Sequence, residues 1–260
     1  MIDTNVDLFR WPFRRVTGDD PSSLVTRLKK KGVTQAWAGS YEALLCRDVA
    51  GVNIRLATAC RESGQNFLVP FGCVNPNAPD WEGDLRRCHE VHRMPGIRLY
   101  PNYHGYTLAD PAFARLLFLA ASRNLIVQIA LSMEDTRTQF PLMRVPPVDP
   151  EPLADLLARL PRLRVVLLNF GGWTDDDAGA SIVKITKAQN AYFDIAMDEG
   201  VGGLARLITD ASPSRVVFGS HYPFYYFEAA VLKVRSANLP HNQELAIGEG
   251  NAQSLLKDRL

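Results

Sequence analysis

Two polar side chains stand where predicted strands end, and together they could move a proton. Asp7 follows the apolar run that opens at Ile2, and His221 follows the run Arg215–Gly219 near the other end of the chain. A carboxylate beside an imidazole orients the ring and favours its protonated form, so the histidine could act as a general acid or base without a metal ion. The alternative is a structural hydrogen bond that fills the space between the two strands.

Such a pair needs a fold that brings both ends of the chain together. The sequence indicates one, because it repeats a strand–helix unit. Apolar runs alternate with helical patterns eight times, as in a parallel sheet that is buried on both faces. The predicted strands are Ile2–Val6, Val33–Ala38, Phe67–Val74, Gly96–Tyr100, Leu125–Leu131, Arg164–Phe170, Tyr192–Ala196 and Arg215–Gly219. The predicted helices are Ser22–Lys31, Cys46–Ser63, Trp81–His92, Pro111–Ser122, Glu151–Leu160, Ala178–Gln189, Gly202–Thr209 and Phe227–Ala237, with a final one at Asn251–Lys257.

Eight strand–helix repeats in 260 residues favour a single closed (β/α)8 barrel, the α/β fold called a TIM barrel, with residues 1–260 as one domain. The first and last strands of such a barrel are neighbours, so we expect Asp7 and His221 to face each other. One connection is unusually long. Residues 132–150 follow the fifth strand, and loops of this length often cover a functional site.

The composition argues against several classes of partner. Lys and Arg number 29 against 28 Asp and Glu, so no charge excess predicts binding to nucleic acid or to a membrane surface. No apolar run reaches the ~18 residues of a membrane span, and the N-terminal residues lack a signal-peptide pattern. The four cysteines form no C-x-x-C pair and predict reduced thiols in a cytoplasmic protein. We expect a small-molecule partner, and a homodimer is compatible with the sequence.

Five segments together resemble the amidohydrolase-related family of TIM barrels, which includes hydrolases and aminocarboxymuconate-semialdehyde decarboxylase-like enzymes. They are Ile2–Asp7, Gly96–Pro101, Arg164–Gly172, Phe218–Phe224 and Gly250–Ala252. The resemblance implies a barrel with its site at the carboxyl ends of the strands, and hydrolysis or decarboxylation as the activity. It also implies that the last strand carries an aspartate as a metal ligand, a position where this chain has His221.

The other metal-ligand positions implied by the resemblance are changed as well. Asn5 and Asp7 stand where the family has His-x-His on the first strand, and Asn169 stands at the histidine of the sixth strand. The fifth-strand histidine corresponds to Gln128 or to Ala130, depending on the register. Amide oxygens are poor ligands for Zn2+, so we expect no resident metal ion, and at most a weakly held Mg2+, Mn2+ or Zn2+.

Polar residues on and after the strands are the predicted substrate-binding groups. Arg98 or Arg137 could hold a carboxylate with two hydrogen bonds, and His104 follows the strand whose family counterpart lies beside the substrate. Amide groups at the barrel mouth cost more than apolar side chains would, which favours a binding role over a purely structural one. The full predicted set is Asn5, Arg98, His104, Gln128, Arg137, Asn169 and Tyr222.

The predicted function is therefore hydrolysis or decarboxylation of a small carboxylated or cyclic organic molecule, with Asp7 and His221 as catalytic residues and a degenerate metal site. The alternative is a non-catalytic barrel that binds a small ligand or acts as a scaffold. The metal content of the protein and the state of the barrel mouth distinguish the two.

Overall fold

Eight parallel strands lie side by side in chain order in the computed structural model, which describes residues 1–64, 66–171 and 184–257. They are β1 (Ile2–Leu8), β2 (Gln35–Ser40), β3 (Leu68–Cys73), β4 (Gly96–Leu99), β5 (Ile126–Ala130), β6 (Arg164–Leu168), β7 (Ala191–Asp194) and β8 (Val216–Val217). Each strand pairs in parallel with the next one along the chain.

Backbone hydrogen bonds join the end of this sheet to its beginning. The Thr4 amide donates to the Phe218 carbonyl over 2.9 Å, and the Asp7 amide donates to the Tyr222 carbonyl over 3.2 Å. Val6 and Tyr222 also form an isolated parallel bridge. The sheet thus curls into a barrel, which confirms the predicted (β/α)8 fold and makes β1 and β8 neighbours.

Helices cover the outside of the barrel. In the described ranges they are Pro21–Lys30, Val49–Gly64, Trp81–Arg86, Pro101–His104, Pro111–Ser122, Leu153–Arg159, Gly203–Ala211, Phe227–Ser236, His241–Leu245 and Asn251–Lys257. Buried apolar side chains such as Leu24, Leu28 and Phe113 pack them against the sheet. None of these helices is long and apolar enough to cross a membrane.

The elements differ from the sequence prediction mainly at their ends. The predicted last strand Arg215–Gly219 is reduced to Val216–Val217, because the Phe218 amide turns to the Ile247 carbonyl. The predicted helix Trp81–His92 changes into a π-helical turn at Arg87–Val91. Half of the predicted helix Ala178–Gln189, residues 178–183, lies outside the described residues, and residues 184–187 are helical.

Inward-facing side chains fill the barrel in levels. An apolar level at the amino-terminal ends of the strands includes Trp37, Phe71, Val166 and Val217. Polar side chains occupy the middle of the barrel, and a second apolar cluster lies over the carboxyl ends. The polar level is therefore enclosed between two apolar ones.

β1 has an irregularity that shapes this polar level. Asp3 pairs with Ala36 of β2, but Val6 pairs with Ala38, so three steps on β1 oppose two on β2. An extra residue of this kind is a bulge, which disrupts the ladder locally and leaves backbone groups free for other partners. The carbonyl groups of Thr4 and Val6 consequently accept hydrogen bonds from side chains inside the barrel.

Candidate functional site

The side chains of Asp7 and His221 face each other across the seam between β1 and β8. Oδ2 of Asp7 lies 3.7 Å from Nδ1 of His221, and neither atom has a hydrogen-bond partner among the described residues. Asp7 is 1% exposed and His221 is 0% exposed. The two predicted catalytic residues therefore meet at the distance of an ion pair, slightly beyond that of a hydrogen bond.

The other ring nitrogen of His221 indicates where the ring carries hydrogen. Nε2 lies 2.9 Å from the carbonyl oxygen of Met133, in the 132–150 loop. A carbonyl only accepts hydrogen bonds, so Nε2 is the protonated nitrogen of this contact. A neutral ring would then direct the lone pair of Nδ1 at the carboxylate of Asp7. A doubly protonated ring directs an N–H there instead, and this form suits the geometry.

Two residues of the predicted site have left-handed backbone conformations. His221 has φ 54° and Asn169 has φ 56°. This region is unfavourable for residues with a Cβ atom, although asparagine tolerates it better than most. Asn169 comes directly after β6 and His221 lies four residues past the end of β8, and both make their side-chain contacts inside the barrel. Strained conformations of this kind concentrate at functional sites.

Arg98 and Tyr100 hold the second oxygen of Asp7. Nη1 of Arg98 donates to Oδ1 over 2.8 Å, and the Tyr100 hydroxyl donates to the same oxygen over 3.1 Å. Burial raises the pKa of Asp7, but the Arg98 guanidinium and the His221 ring outweigh burial and bring the pKa below its ordinary value. Asp7 is therefore a carboxylate although it is fully enclosed.

Gln128 and Ala130 of β5 both face the barrel interior, because side chains two apart on a strand share a side. Gln128 accepts from Nε of Arg98 over 2.9 Å and donates to the Thr4 carbonyl over 2.7 Å. Ala130 lies one level nearer the mouth, in the apolar cluster over the carboxyl ends. The polar residue of β5 is thus bound to the arginine and to β1.

A second polar group is built around Asn5. Its Nδ2 donates to Oδ1 of Asn169 over 2.7 Å and to Oδ2 of Asp194 over 2.6 Å. The backbone N–H of Asn169 donates to Oδ1 of Asp194 over 2.8 Å. Burial raises the pKa of Asp194. Sequence reasoning did not single out Asp194, although it is the last residue of an otherwise mostly apolar strand, β7.

Asp3 is a further buried carboxyl group that sequence reasoning missed. Its Oδ1 accepts from the amides of Asn5 (3.1 Å) and Ser220 (3.0 Å), and its Oδ2 accepts from the Ser220 hydroxyl over 2.5 Å. Burial raises its pKa to about 7. The available signal was a charged residue inside the apolar run that begins at Ile2; the β1 bulge breaks the alternation between Asp3 and Asp7, so spacing alone does not give the side on which Asp3 lies.

The remaining predicted binding residues lie away from this centre. Nε2 of His104 lies 2.8 Å from the Ala43 carbonyl, and burial lowers the pKa of this histidine. The Tyr222 ring belongs to the apolar shell that packs against the helices. Arg137 has an 82% exposed side chain and is paired with Asp135 of its own loop.

Apolar side chains close the carboxyl end of the barrel over Asp7 and His221. We call Trp11, Tyr41, Met133 and Phe224 the mouth cap. Phe224 stacks on the ring of His221 with centroids 5.2 Å apart, and Trp11 packs edge-on against Tyr41 at 5.2 Å and Phe224 at 4.8 Å. Trp11 and Met133 are each 3% exposed. The cap thus shuts the polar centre off from solvent.

A cleft of about 430 Å³ lies beside the mouth cap, under the 132–150 loop. Its lining includes Ser132, Glu134, Arg137, Asn169, Phe170 and Met197. Met133 separates this cleft from the polar centre, because its sulfur lies 3.8 Å from Nδ2 of Asn169 while its carbonyl contacts His221. Glu134 is 3% exposed and burial raises its pKa, so the cleft has a carboxyl group that sequence reasoning did not identify.

The residues at the implied metal positions do not form a set of metal ligands. Oδ1 of Asp7 accepts from Arg98 and Tyr100, and the amide oxygen of Gln128 accepts from Arg98. Among the described residues, the unpaired atoms nearby include Oδ2 of Asp7, Nδ1 of His221, the amide oxygen of Asn5 and the Tyr41 hydroxyl, and only the first two are good ligand types for Zn2+. In the part of the chain that the structure describes, no three His, Cys, Asp or Glu side chains are grouped to hold a metal ion.

A sequence model of one protein family, described as amidohydrolase, matches residues 9–257 of this chain. No curated protein sequence matches it. Several solved structures have the same fold at low sequence identity.

The chain is similar to 2,6-dihydroxybenzoate decarboxylase in complex with 2,6-dihydroxybenzoate, with 15% identity, a TM-score of 0.69 and 98% of each chain covered. It is similar to 4-oxalomesaconate hydratase from Rhodopseudomonas palustris, with 15% identity, a TM-score of 0.70, and 99% of this chain and 96% of the other covered. A dihydroxybenzoic acid decarboxylase from Polaromonas, solved with manganese and 2-nitroresorcinol, has 14% identity and a TM-score of 0.67, with 89% of this chain and 84% of that chain covered. At these identities the likeness shows the fold.

Proposed function

The chain belongs to the amidohydrolase family, and on that premise we propose that it is a lyase or hydrolase for a small carboxylated or cyclic organic molecule, with Asp7 and His221 as its acid/base pair. Relatives of this fold include decarboxylases and a hydratase of small carboxylated compounds. Decarboxylation of an aromatic acid is the reaction that the polar centre suits best. This reaction requires one proton donor, and His221 beside the carboxylate of Asp7 could supply it.

One observation carries this proposal: Oδ2 of Asp7 and Nδ1 of His221, two buried atoms that have no hydrogen-bond partner in the described part of the chain, face each other 3.7 Å apart. Unpaired buried polar atoms cost free energy, and a catalytic role is one reason that native structures retain them. A proton on Nδ1 turns this contact into an ion pair with the Asp7 carboxylate. The ring is then held with its Nε2 hydrogen toward Met133, the side from which a substrate would approach, so Nε2 is the proposed proton donor.

The single proton transfer that a decarboxylation requires fits this pair. As the bond between the ring carbon and the carboxylate breaks, the electron pair stays on the ring carbon, and CO2 leaves. The ring carbon then takes a proton from the imidazolium of His221, and the neutral imidazole regains one from solvent when the product leaves. Asp7 keeps the ring oriented throughout and favours its reprotonation.

The cleft under the 132–150 loop is the proposed entry for such a substrate. Its volume of about 430 Å³ is in the range of small-molecule pockets. Asn169 lies on its floor and Arg137 at its rim, where a guanidinium released from Asp135 could bind a carboxylate. Met133 has to move before a substrate in this cleft reaches His221, so the proposal requires the loop to open during the reaction cycle.

A second candidate function is a barrel that binds a small ligand without turning it over. The observation in its favour is the complete enclosure of Asp7 and His221 beneath the mouth cap. In this case the ligand would occupy the cleft and Met133 would stay in place. Both candidates predict binding of small carboxylates, and they differ in whether His221 contacts the ligand.

Incubation of the purified protein with a panel of hydroxylated benzoic acids, starting from 2,6-dihydroxybenzoate, tests the proposal. Product formation is followed by chromatography and CO2 release, in the presence of EDTA. We expect turnover by the wild-type protein and a loss of at least about 100-fold in kcat for His221→Asn, as for removal of a general acid. The matched control is His241→Asn, which changes a histidine with an 82% exposed side chain and should leave turnover unchanged.

Binding is measured in parallel by thermal shift with the same acids. Binding without product, equal in the wild-type protein and in His221→Asn, would contradict the enzymatic proposal and favour the ligand-binding barrel. Turnover that survives in His221→Asn would contradict the role of the pair while leaving the protein an enzyme.

A further inference from the structure

We propose that the Arg98 guanidinium is a built-in cation that takes the place of a divalent metal ion at the centre of this barrel. The manganese in the related dihydroxybenzoic acid decarboxylase places a positive charge in a barrel of the same fold. Here the donor set does not suit a metal ion, but a positive charge is still present. This inference concerns the charge at the barrel centre and holds whether or not Asp7 and His221 turn over a substrate.

Every N–H of the Arg98 side chain has an acceptor inside the barrel. A guanidinium carries five N–H groups. The acceptors are the Gln128 amide oxygen (2.9 Å), Oδ1 of Asp7 (2.8 Å) and the carbonyls of Val6 (2.8 Å), Trp37 (3.1 Å) and Thr4 (3.4 Å). The side chain is 1% exposed. With no N–H left over, Arg98 is not available to bind a substrate carboxylate, which was one of its predicted roles.

The backbone around Arg98 is arranged to receive a cation. The bulge in β1 frees the carbonyls of Thr4 and Val6 from regular pairing, and both point at the guanidinium. Carbonyl oxygens carry partial negative charge, so three of them and one carboxylate surround a single positive group. Burying a charge is tolerated only when it is paired and fully hydrogen-bonded, and this one is.

The space beside Asp7 is already taken by the guanidinium. Gly39 of β2 is the register partner of Asp7. A Cβ atom on Gly39 would lie 2.5 Å from Oδ1 of Asp7 and 2.7 Å from both Cδ and Nη1 of Arg98. Even one methyl group therefore does not fit there, and the glycine provides the room that the arginine uses.

The fixed charge also opposes a second cation. Arginine does not lose its proton in proteins, so a divalent ion bound at Asp7 would always lie beside a like charge. Arg98 and Tyr100 engage one oxygen of Asp7 and leave the other directed at His221. Arg98 is thus a positioning residue that orients the Asp7–His221 pair and supplies its electrostatic environment.

Metal content of the wild-type protein is the first test. We expect elemental analysis after purification to find well below one equivalent of Mn, Zn, Fe or Co per chain. An ion at 100 times its dissociation constant would raise the Tm by roughly 5–10 °C, whereas we expect added MnCl2, added ZnCl2 or EDTA to change it by less than about 1 °C. A stoichiometric metal ion, or a Tm that rises with added metal, would overturn the inference even if the protein proves catalytic.

The second test removes the charge with Arg98→Met. Asp7 would then be a buried carboxylate facing only Tyr100, Tyr41 and His221. Its ionisation would become unfavourable, so the Tm deficit of the variant should grow as the pH rises from about 4.5 to about 7.5, reaching roughly 10 °C. The double variant Asp7→Asn with Arg98→Met should recover at least about half of this deficit.

Arg215→Met is the matched control. Arg215 is a buried arginine that donates to the carbonyls of Ala188 and Thr186, with no carboxylate among its described contacts. Its Tm deficit should not depend on pH in this window. A deficit of Arg98→Met that is equally independent of pH, and that the Asp7→Asn change does not reduce, would show a packing role alone and overturn the inference. If Arg98→Met does not fold, Arg98→Lys takes its place, and it should fold without gaining metal.

Discussion

Oδ2 of Asp7 faces Nδ1 of His221 at 3.7 Å across the seam of the barrel, although the two residues come from opposite ends of the chain. The histidine is held from its other side by the Met133 carbonyl, and the aspartate is held from its other side by Arg98. Each partner is therefore fixed independently of the other. This explains how the two unpaired atoms remain close without forming a direct hydrogen bond.

The first prediction concerns the protonation of His221. Because Nε2 faces a carbonyl and Nδ1 faces a carboxylate, and both partners only accept hydrogens, we expect the ring to carry a hydrogen on each nitrogen in the folded protein. In Asp7→Asn the carboxylate is gone, and we expect a neutral ring with its hydrogen on Nε2. Nitrogen-15 NMR of histidine-labelled protein distinguishes these forms. The exposed His241 is the internal control, and it should be the same in both proteins.

The second prediction concerns the space beside Asp7 and Arg98. Gly39→Ala should lower the free energy of unfolding by about 1–3 kcal/mol, because its Cβ would lie 2.5 Å from Oδ1 of Asp7. Gly248→Ala is the control, since its added Cβ would meet no described residue beyond its own helical turn within 4 Å, and alanine favours a helical turn. Urea denaturation of both variants provides the comparison. Equal stability of the two would contradict the close packing around the arginine.

Much of the fold and part of the site could be predicted from local patterns. Alternating polar residues on β1 and a polar residue just past β8 identify Asp7 and His221, and barrel closure then brings them together. The seam bonds Thr4–Phe218 and Asp7–Tyr222 depend only on that topology. The predicted strand ends were less accurate. β8, for example, ends where the Phe218 amide turns to the Ile247 carbonyl, and the position of that carbonyl is not part of the local pattern.

The charge arrangement at the centre depends on contacts that no local pattern contains. The orientation of Arg98 requires the β1 bulge and the absence of a side chain at Gly39, which come from two other strands. The mouth cap brings Trp11 from the first loop against Phe224 from the last one. Long-range packing of this kind cannot be read from spacing, so sequence reasoning treated Arg98 as a substrate ligand.

The third prediction concerns the attachment of the 132–150 loop. Nδ2 of Asn169 donates to the Ser132 carbonyl over 2.7 Å, at the start of this loop. Asn169→Gly keeps the left-handed φ of 56° accessible but loses that bond, together with the bond that Oδ1 of Asn169 accepts from Nδ2 of Asn5. A hydrogen bond worth about 1 kcal/mol corresponds to about fivefold more opening, so trypsin should cleave after Arg137 about fivefold faster.

The control for the loop is Asn238→Gly, at an exposed position with φ 47° after the helix Phe227–Ser236. It tests the effect of the same substitution in the same backbone region away from the loop. Cleavage after Arg137 should be unchanged in this variant. If Asn169→Gly leaves the rate unchanged as well, Asn169 does not hold the loop closed.

The last prediction concerns the pH dependence that Asp3 gives to stability. Its folded pKa is about 7 because of burial, whereas an unfolded aspartate has a pKa of about 3.9. The folded protein therefore keeps a proton that the unfolded chain releases, so this contribution is fully present below about pH 4 and is lost as the pH rises to about 7. The loss amounts to at most about 4 kcal/mol.

Asp3→Asn cannot lose this proton, so its stability relative to the wild-type protein should increase steadily over that window. Asp155→Asn, at an exposed position in the helix Leu153–Arg159, should show no such increase. Urea denaturation of the three proteins at several pH values measures the difference, and a constant gap between Asp3→Asn and the wild-type protein would mean that Asp3 is ionised in the folded barrel throughout.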